Sequence, residues 1–204
     1  MALIIADCTK PTVVAINGPA ARVGLTLTLP ACIRVAWDGA KVALPFARRG
    51  LILESCSAFY LPKLIGLSNA MHLATTGAAY PTTDPLVRSL FSKLLPSPED
   101  TLAHAIDLAT DIAKNTSLSS TKLMRDMMVY CPPTPEQTHV LDSRGFISVV
   151  GSEDNMEGIS SFMEKRQPNF KASFDHADFP FWPWWSHGPA NETGQSQNSF
   201  KVKI

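Results

Sequence analysis

The residue best placed to do chemistry is one acid. In LPFARRGLILESCSAFYLPKLIG, residues 44–66, Glu54 sits among apolar and small residues just before a helix-like run. A carboxylate walled by apolar groups loses hydration, its pKa rises, and it can then accept and return a proton near neutral pH. The same acid has a structural reading, because a negative charge ahead of a helix N-terminus is favoured by the helix dipole. Arg48 and Arg49, just upstream, read either as phosphate contacts or as a solvated, ion-paired face. His72 and His104 lie at helical positions with no second ligand at suitable spacing and read as surface or packed histidines. Cys8, Cys32, Cys56 and Cys131 form no CxxC pair, and they read as buried thiols of a reducing compartment rather than as a disulfide or metal site.

These groups need elements to position them. PTVVAING, residues 11–18, is a short β-branched run closed by Asn17-Gly18, which predicts a buried strand and a turn. A helix is predicted over residues 22–29, although Thr26 and Thr28 are weak formers. IRVAW and KVALPF predict two more strands across the Asp38-Gly39 turn signal. Residues 55–76 predict two short helices interrupted at Pro62 and Gly66. From Ser97 the chain shows a cap, Glu99 and Asp100 in the first turn, and an apolar stripe of Leu102, Ile106, Ala109 and Ile112, with Asp107, Asp111 and Lys114 on the other face. LSSTKLMRDMMVY predicts a further helix up to Pro132-Pro133, helical pieces follow, and the end of the chain turns polar and loop-like. The pattern is α/β: a core over residues 1–80, a helical region over 81–185 and a flexible tail over 186–204.

A length of 204 residues suits one domain with a full core. Eighteen basic and eighteen acidic residues balance, with no basic stripe, which excludes a nucleic-acid partner. MALIIADC stops at Asp7, too short for a membrane span and without the positive start of a signal peptide, so no membrane partner is expected.

Three segments, taken in order, resemble the enoyl-CoA hydratase/isomerase (crotonase) superfamily in its fungal peroxisomal branch: KPTVVAINGPAARVGLTLTLPACIRVA, then LPFARRGLILESCSAFYLPKLIG, then DSRGFISVVGSEDNMEGISSFMEKRQPNF with the later PWW. The likeness runs from about Lys10 to Trp185. It implies a crotonase-like fold lacking its N-terminal part, with Met1 falling inside the helix that leads into the first matched strand. It also implies an acyl-CoA substrate with no cofactor, and homotrimers or dimers of trimers built through the C-terminal helices. In the family two backbone N–H groups polarise the thioester so that an enolate forms as a proton leaves the α-carbon. The matching second donor here is Val23; the first belongs to an A-x-G-x-D turn that the sequence does not contain, a loss on the order of 10²–10³ in rate. The resemblance also places Ala20, Gly24, Pro45 and Phe46 along the substrate pocket.

Hydration in this family uses two glutamates, whose positions are taken here by Thr26 and Phe46, neither able to shuttle a proton. The peroxisomal isomerases carry one glutamate in a G-L-x-x-E context, which Gly50-Leu51-Ile52-Leu53-Glu54 resembles, and one base suffices for isomerisation. The expected activity is therefore an acyl-CoA isomerase or hydratase-like enzyme of fatty-acid or toxin metabolism. The alternatives are a degenerate paralogue acting as a partner subunit and a non-catalytic acyl-CoA binder. Trp182, Trp184 and Trp185 are expected to anchor the C-terminal segment against the core or a neighbouring subunit. Asn191-Glu192-Thr193 is a glycosylation sequon idle in a reducing compartment. Val202-Lys203-Ile204 resembles the S-K-L peroxisomal signal, with the cytosol as the alternative location.

Overall fold

The computed structural model describes residues 1–186. After helix α1 (Ala2–Asp7), strand β1 (Val13–Ile16) runs to the Asn17-Gly18 turn, followed by β2 (Ala20–Ala21), α2 (Val23–Thr26), β3 (Ile33–Trp37) and β4 (Lys41–Ala43). Helices α3 (Ser57–Ile65) and α4 (Leu67–Thr76), strands β5 (Ala79–Pro81) and β6 (Lys93–Leu95), and helices α5 (Pro98–Asn115), α6 (Leu118–Val129), α7 (Pro135–Val149) and α8 (Glu153–Glu164) complete the order. The strands form two small sheets. In one, β3 pairs in parallel with β1 (Val13↔Ile33) and β6 (Val35↔Lys93). In the other, β4 is flanked by β2 in parallel (Ala20↔Val42) and β5 antiparallel (Val42↔Tyr80).

Both strands predicted around Asp38-Gly39 exist, but they lie in different sheets. The Asp38 N–H remains in the first ladder, donating to the Leu95 carbonyl at 2.9 Å, while Ala40 N–H closes the turn on Trp37. Gly39 is required because a Cβ there would enter the indole of Trp37. Since β6 belongs to this first sheet and α5 packs on it, the α/β core continues beyond residue 80, where the sequence reading ended it.

The helix predicted over residues 22–29 is helical only over Val23–Thr26 and continues as turns to Leu29. Pro62 does not break α3: burial of Tyr60, Leu61 and Ile65 holds the helix together, and Gly66, at φ 77°, ends it instead. On α5 the expected stripe is displaced. Thr101 and Ala105 are the residues buried against the sheet, because small side chains let the helix approach closely, whereas Leu102 and Ile106 stay exposed. The starts of α5, α6, α7 and α8 share one local chemistry. Ser97, Ser117, Thr134 and Ser152 each accept a backbone N–H three residues on, the capping bond that satisfies an otherwise unpaired donor.

Helix α6 buries three charged residues, Lys122, Arg125 and Asp126. The Asp126 carboxylate receives Lys122 Nζ at 2.9 Å, Arg125 Nη1 at 3.1 Å and Trp182 Nε1 at 2.7 Å. Arg125 also donates to the carbonyls of Ala6 and Pro30, and so ties α6 to the start of the chain. Trp184 Nε1 donates to the Tyr130 carbonyl at 2.9 Å and Trp185 stacks on Tyr130, so the tryptophans do anchor the C-terminal segment on α6. Removing the central carboxylate leaves two buried cations without their partner. Asp126→Ala is expected to lower the unfolding free energy by about 3–5 kcal/mol in urea titrations, whereas an exposed control such as Asp107→Ala is expected to change it by less than about 0.5 kcal/mol.

Candidate active site

The site is built where β2 and β4 end. Their parallel pairing sends the turn after β2 and the turn after β4 out of the same edge of the sheet, and the Arg22 N–H seals the two by donating to the Ala43 carbonyl at 3.1 Å. The segment of Ala20, Val23 and Gly24 and the segment of Pro45 and Phe46, which the resemblance assigns to one pocket, therefore leave the sheet at the same edge. The Val23 and Gly24 N–H groups find no acceptor among the described residues, which leaves them free to bind an oxygen. The residue just before them is strained. Arg22 sits at φ 54° and ψ −128°, a conformation costing a residue with a Cβ about 1–3 kcal/mol.

Beneath this turn the chemistry stops. Thr26 is wholly buried, its hydroxyl without a hydrogen-bond partner among the described residues, and Phe46 is packed into the main core with Leu25 and Leu44. The two positions that the resemblance assigns to hydratase glutamates are thus hydroxyl and aromatic in identity and core in environment.

After Phe46 a short 3-10 turn (Ala47–Arg49) ends at Gly50, and the chain then has no regular structure until α3. Leu53 alone packs on the core; Leu51 and Ile52 are 51% and 88% exposed. Glu54 is exposed too, which corrects the expectation of an apolar wall: its apolar neighbours point to solvent and give it no low-dielectric cover. What is fixed is its backbone. The Glu54 carbonyl accepts both the N–H and the hydroxyl of buried Ser57, and Ser55 and Cys56, at φ 53° and 59°, turn the chain sharply into α3. This pair of left-handed residues had no sequence signal, since neither is glycine or asparagine.

The remaining candidates are placed plainly. Arg48 Nε donates to the Thr76 carbonyl at 2.6 Å and Arg49 Nη1 to that of Pro45 at 3.2 Å, and both side chains are exposed. His72 Nε2 lies 3.0 Å from the Tyr80 hydroxyl on the surface. Cys56 and Cys131 are exposed and Cys8 and Cys32 half-buried, against the expectation of buried thiols, because each lies at an element end rather than inside one. Among the described residues no group of three or more His, Cys, Asp or Glu side chains could hold a metal ion, and no helix is long and apolar enough to cross a membrane. The sequon and Val202-Lys203-Ile204 lie outside the described residues.

Sequence and structure comparisons point to one family. The family described as Enoyl-CoA hydratase/isomerase matches residues 2–173. The Enoyl-CoA hydratase AFT3-1 of Alternaria alternata is 46% identical over 171 residues, covering 84% of this chain and 58% of that protein. A Probable enoyl-CoA hydratase of Bacillus subtilis (strain 168) is 32% identical over 165 residues, covering 79% of this chain and 63% of that protein. Among solved structures, a probable enoyl-CoA hydratase/isomerase from Mycobacterium abscessus superposes with a TM-score of 0.75 at 26% identity, over 82% of this chain and 66% of that one. The chain thus spans less than two thirds of the length of each of these relatives. With a match of that extent, the ordered motifs and the crotonase-like architecture, the chain belongs to the enoyl-CoA hydratase/isomerase family.

Proposed function

We propose that this chain carries an acyl-CoA isomerase site in which Glu54 is the proton shuttle and the Val23 N–H an oxyanion donor. Glu54 takes a proton from the α-carbon of a 3-enoyl-CoA. The C–H electron pair moves into the thioester, whose oxygen gathers negative charge against the Val23 N–H. Return of the proton to the γ-carbon moves the double bond to the 2,3 position, with no net gain or loss of atoms. Ala20, Gly24, Pro45 and Phe46 would wall the acyl group. The observation that carries this reading is the contrast at one sheet edge: unpaired N–H groups at Val23 and Gly24 persist, while Thr26 and Phe46 are buried and bear no carboxylate. The Alternaria and Bacillus relatives are named hydratases, which supports acyl-CoA chemistry in general. The replaced glutamate positions favour isomerisation over hydration.

A second reading follows from the exposure of Glu54. Without apolar cover the base works poorly, and the chain would then act as a catalytically weak partner subunit within an oligomer of the trimeric kind common in the family. One assay separates the two. The purified 204-residue chain, offered trans-2-enoyl-CoA and 3-enoyl-CoA in turn, is expected to show little or no hydration and measurable isomerisation. Glu54→Gln is expected to remove nearly all of the isomerisation, by about 10²–10⁴-fold in kcat. Robust hydration would defeat the isomerase reading, and an unchanged Glu54→Gln rate would place the base elsewhere. Absence of both activities, with assembly onto a family member in sedimentation, would select the subunit reading.

The same proposal places the chain in peroxisomes, in fatty-acid or toxin metabolism, on the strength of Val202-Lys203-Ile204, in which Lys203 and Ile204 fit the S-K-L scheme and Val202 is larger than the usual first residue. A fluorescent protein ending in residues 193–204 is expected to collect in puncta overlapping a peroxisomal marker; uniform cytosolic fluorescence would count against the signal.

A further inference from the structure

A second site lies where strands begin rather than end. Pro11 and Cys32, which lead into β1 and β3, line a cleft of about 500 Å³ together with α3, the end of α5 and α6. Leu29, Ile33, Leu64, Met124 and Met128 make much of its wall apolar. Its charged lining has one sign only: Arg34, Lys63 and Arg125 take part, and no Asp or Glu does.

Arg34 is the unusual member. It is 7% exposed, and burial pushes its guanidinium pKa downward, yet it forms no ion pair with a carboxylate among the described residues. Buried charges are ordinarily paired. Its Nε donates to the Leu90 carbonyl at 3.0 Å, and its Nη1 to those of Leu29 and Ala31 at 3.0 and 2.7 Å. These carbonyls fix the side chain but supply no counter-charge. Nη2 makes no hydrogen bond among the described residues, and it is not sealed in, because the enclosed side-chain atoms without a partner are Thr26 Oγ1 and Asp154 Oδ2. A guanidinium held on two nitrogens therefore keeps open N–H groups on the third. Its surroundings add to the positive excess. Arg125 Nη2 donates to the Pro30 carbonyl at 3.1 Å, on the same segment 28–31 that Arg34 grips, and Arg125 shares its one acid, Asp126, with Lys122. The helix-end carbonyls of Ile112 and Val129 are already engaged, by the Thr116 hydroxyl and by Lys63 Nζ, each at 2.7 Å.

We infer that this cleft binds an alkyl carboxylate: a carboxylate oxygen accepts from Arg34 Nη2, and the alkyl chain lies along Ile33, Leu64, Met124 and Met128. The unbalanced cations select an anionic head group, and the apolar walls select a chain behind it. Lys63 is exposed and keeps N–H groups beyond the one given to Val129, so it adds to the attraction. The cleft shares no residue with the candidate active site, so the inference stands apart from the acyl-CoA reading.

The test is calorimetric titration of the full chain at pH 7 with octanoate, 1-octanol and octylammonium, joined to spectra of methyl-labelled methionines. Octanoate is expected to bind at least about tenfold more tightly than octanol, which matches it in length but carries no charge, the margin of one charge-assisted hydrogen bond. Octylammonium, of the opposite charge, is expected to bind more weakly than either. Octanoate is expected to shift the Met128 methyl resonance and to leave that of Met156, on α8 and outside the cleft, in place. Arg34→Gln is expected to abolish the preference for octanoate over octanol. Met128→Glu, at an exposed position, sets an acid in the cleft and is expected to weaken octanoate by about threefold or more while sparing octanol. Equal binding of octanoate and octanol, octylammonium as tight as octanoate, no octanoate heat at millimolar concentration, or a shift at Met156 in place of Met128 would each overturn the proposal. The ligand comparisons use the native chain, so they hold even if Arg34→Gln fails to fold.

Discussion

The placement of the C-terminal half turns on a single buried carboxylate. Asp126 is fully enclosed, and Lys122, Arg125 and Trp182 all converge on it. Two cations around one acid leave a surplus positive charge, which the structure spreads over the carbonyls of Ala6 and Pro30 and the face of the Trp182 ring, 5.5 Å from Lys122 Nζ. Buried ion pairs add little net stability compared with well-packed apolar groups, because desolvation offsets most of the attraction. Their geometry is nevertheless demanding. The cluster fixes how α6, the first helix and the tryptophan segment sit together more than it strengthens the whole.

Around that fixed point the molecule divides its labour. The parallel pairing of β2 and β4 brings the turns after these strands to one edge and holds the N–H groups of Val23 and Gly24 there, at the price of an unfavourable Arg22 backbone. The helical half carries polar and apolar cavities of its own, away from that edge. Membership of the enoyl-CoA hydratase/isomerase family rests on the matched span and the architecture, whereas the chemistry of this particular chain rests on Thr26, Phe46 and Glu54 and what surrounds them.

Much of this was legible in the residues. The Val13–Ile16 run, the Asn17-Gly18 turn and the cap at Ser97 followed from local rules, since β-branching, turn chemistry and capping act within a few residues. Strand pairing did not. Asp38-Gly39 reads locally as a link between neighbouring strands, and only the ladder from Asp38 to Leu95 shows that the chain changes sheets. Burial of long charged side chains was equally hidden, because Lys122, Arg125 and Asp126 have the spacing of a solvent face until Trp182, far along the chain, covers them. Around Glu54 the sequence suggested an apolar cover that the structure does not show, since apolar residues in an irregular segment need not face inward.

The capped starts of α5 to α8 also bear on the order in which the chain acquires its shape. Ser97, Ser117, Thr134 and Ser152 cap through bonds that span three residues, so each helix carries its own nucleation signal. The β3 to β6 ladder, by contrast, can close only after α3 and α4 have been drawn in between, and loop-closure entropy delays contacts of that range. During that delay the small faces of Thr101 and Ala105 have no sheet to rest on. An α5 begun at its cap before that ladder closes would lack the sheet that buries it, so topology rather than helix propensity would limit how fast structure is gained.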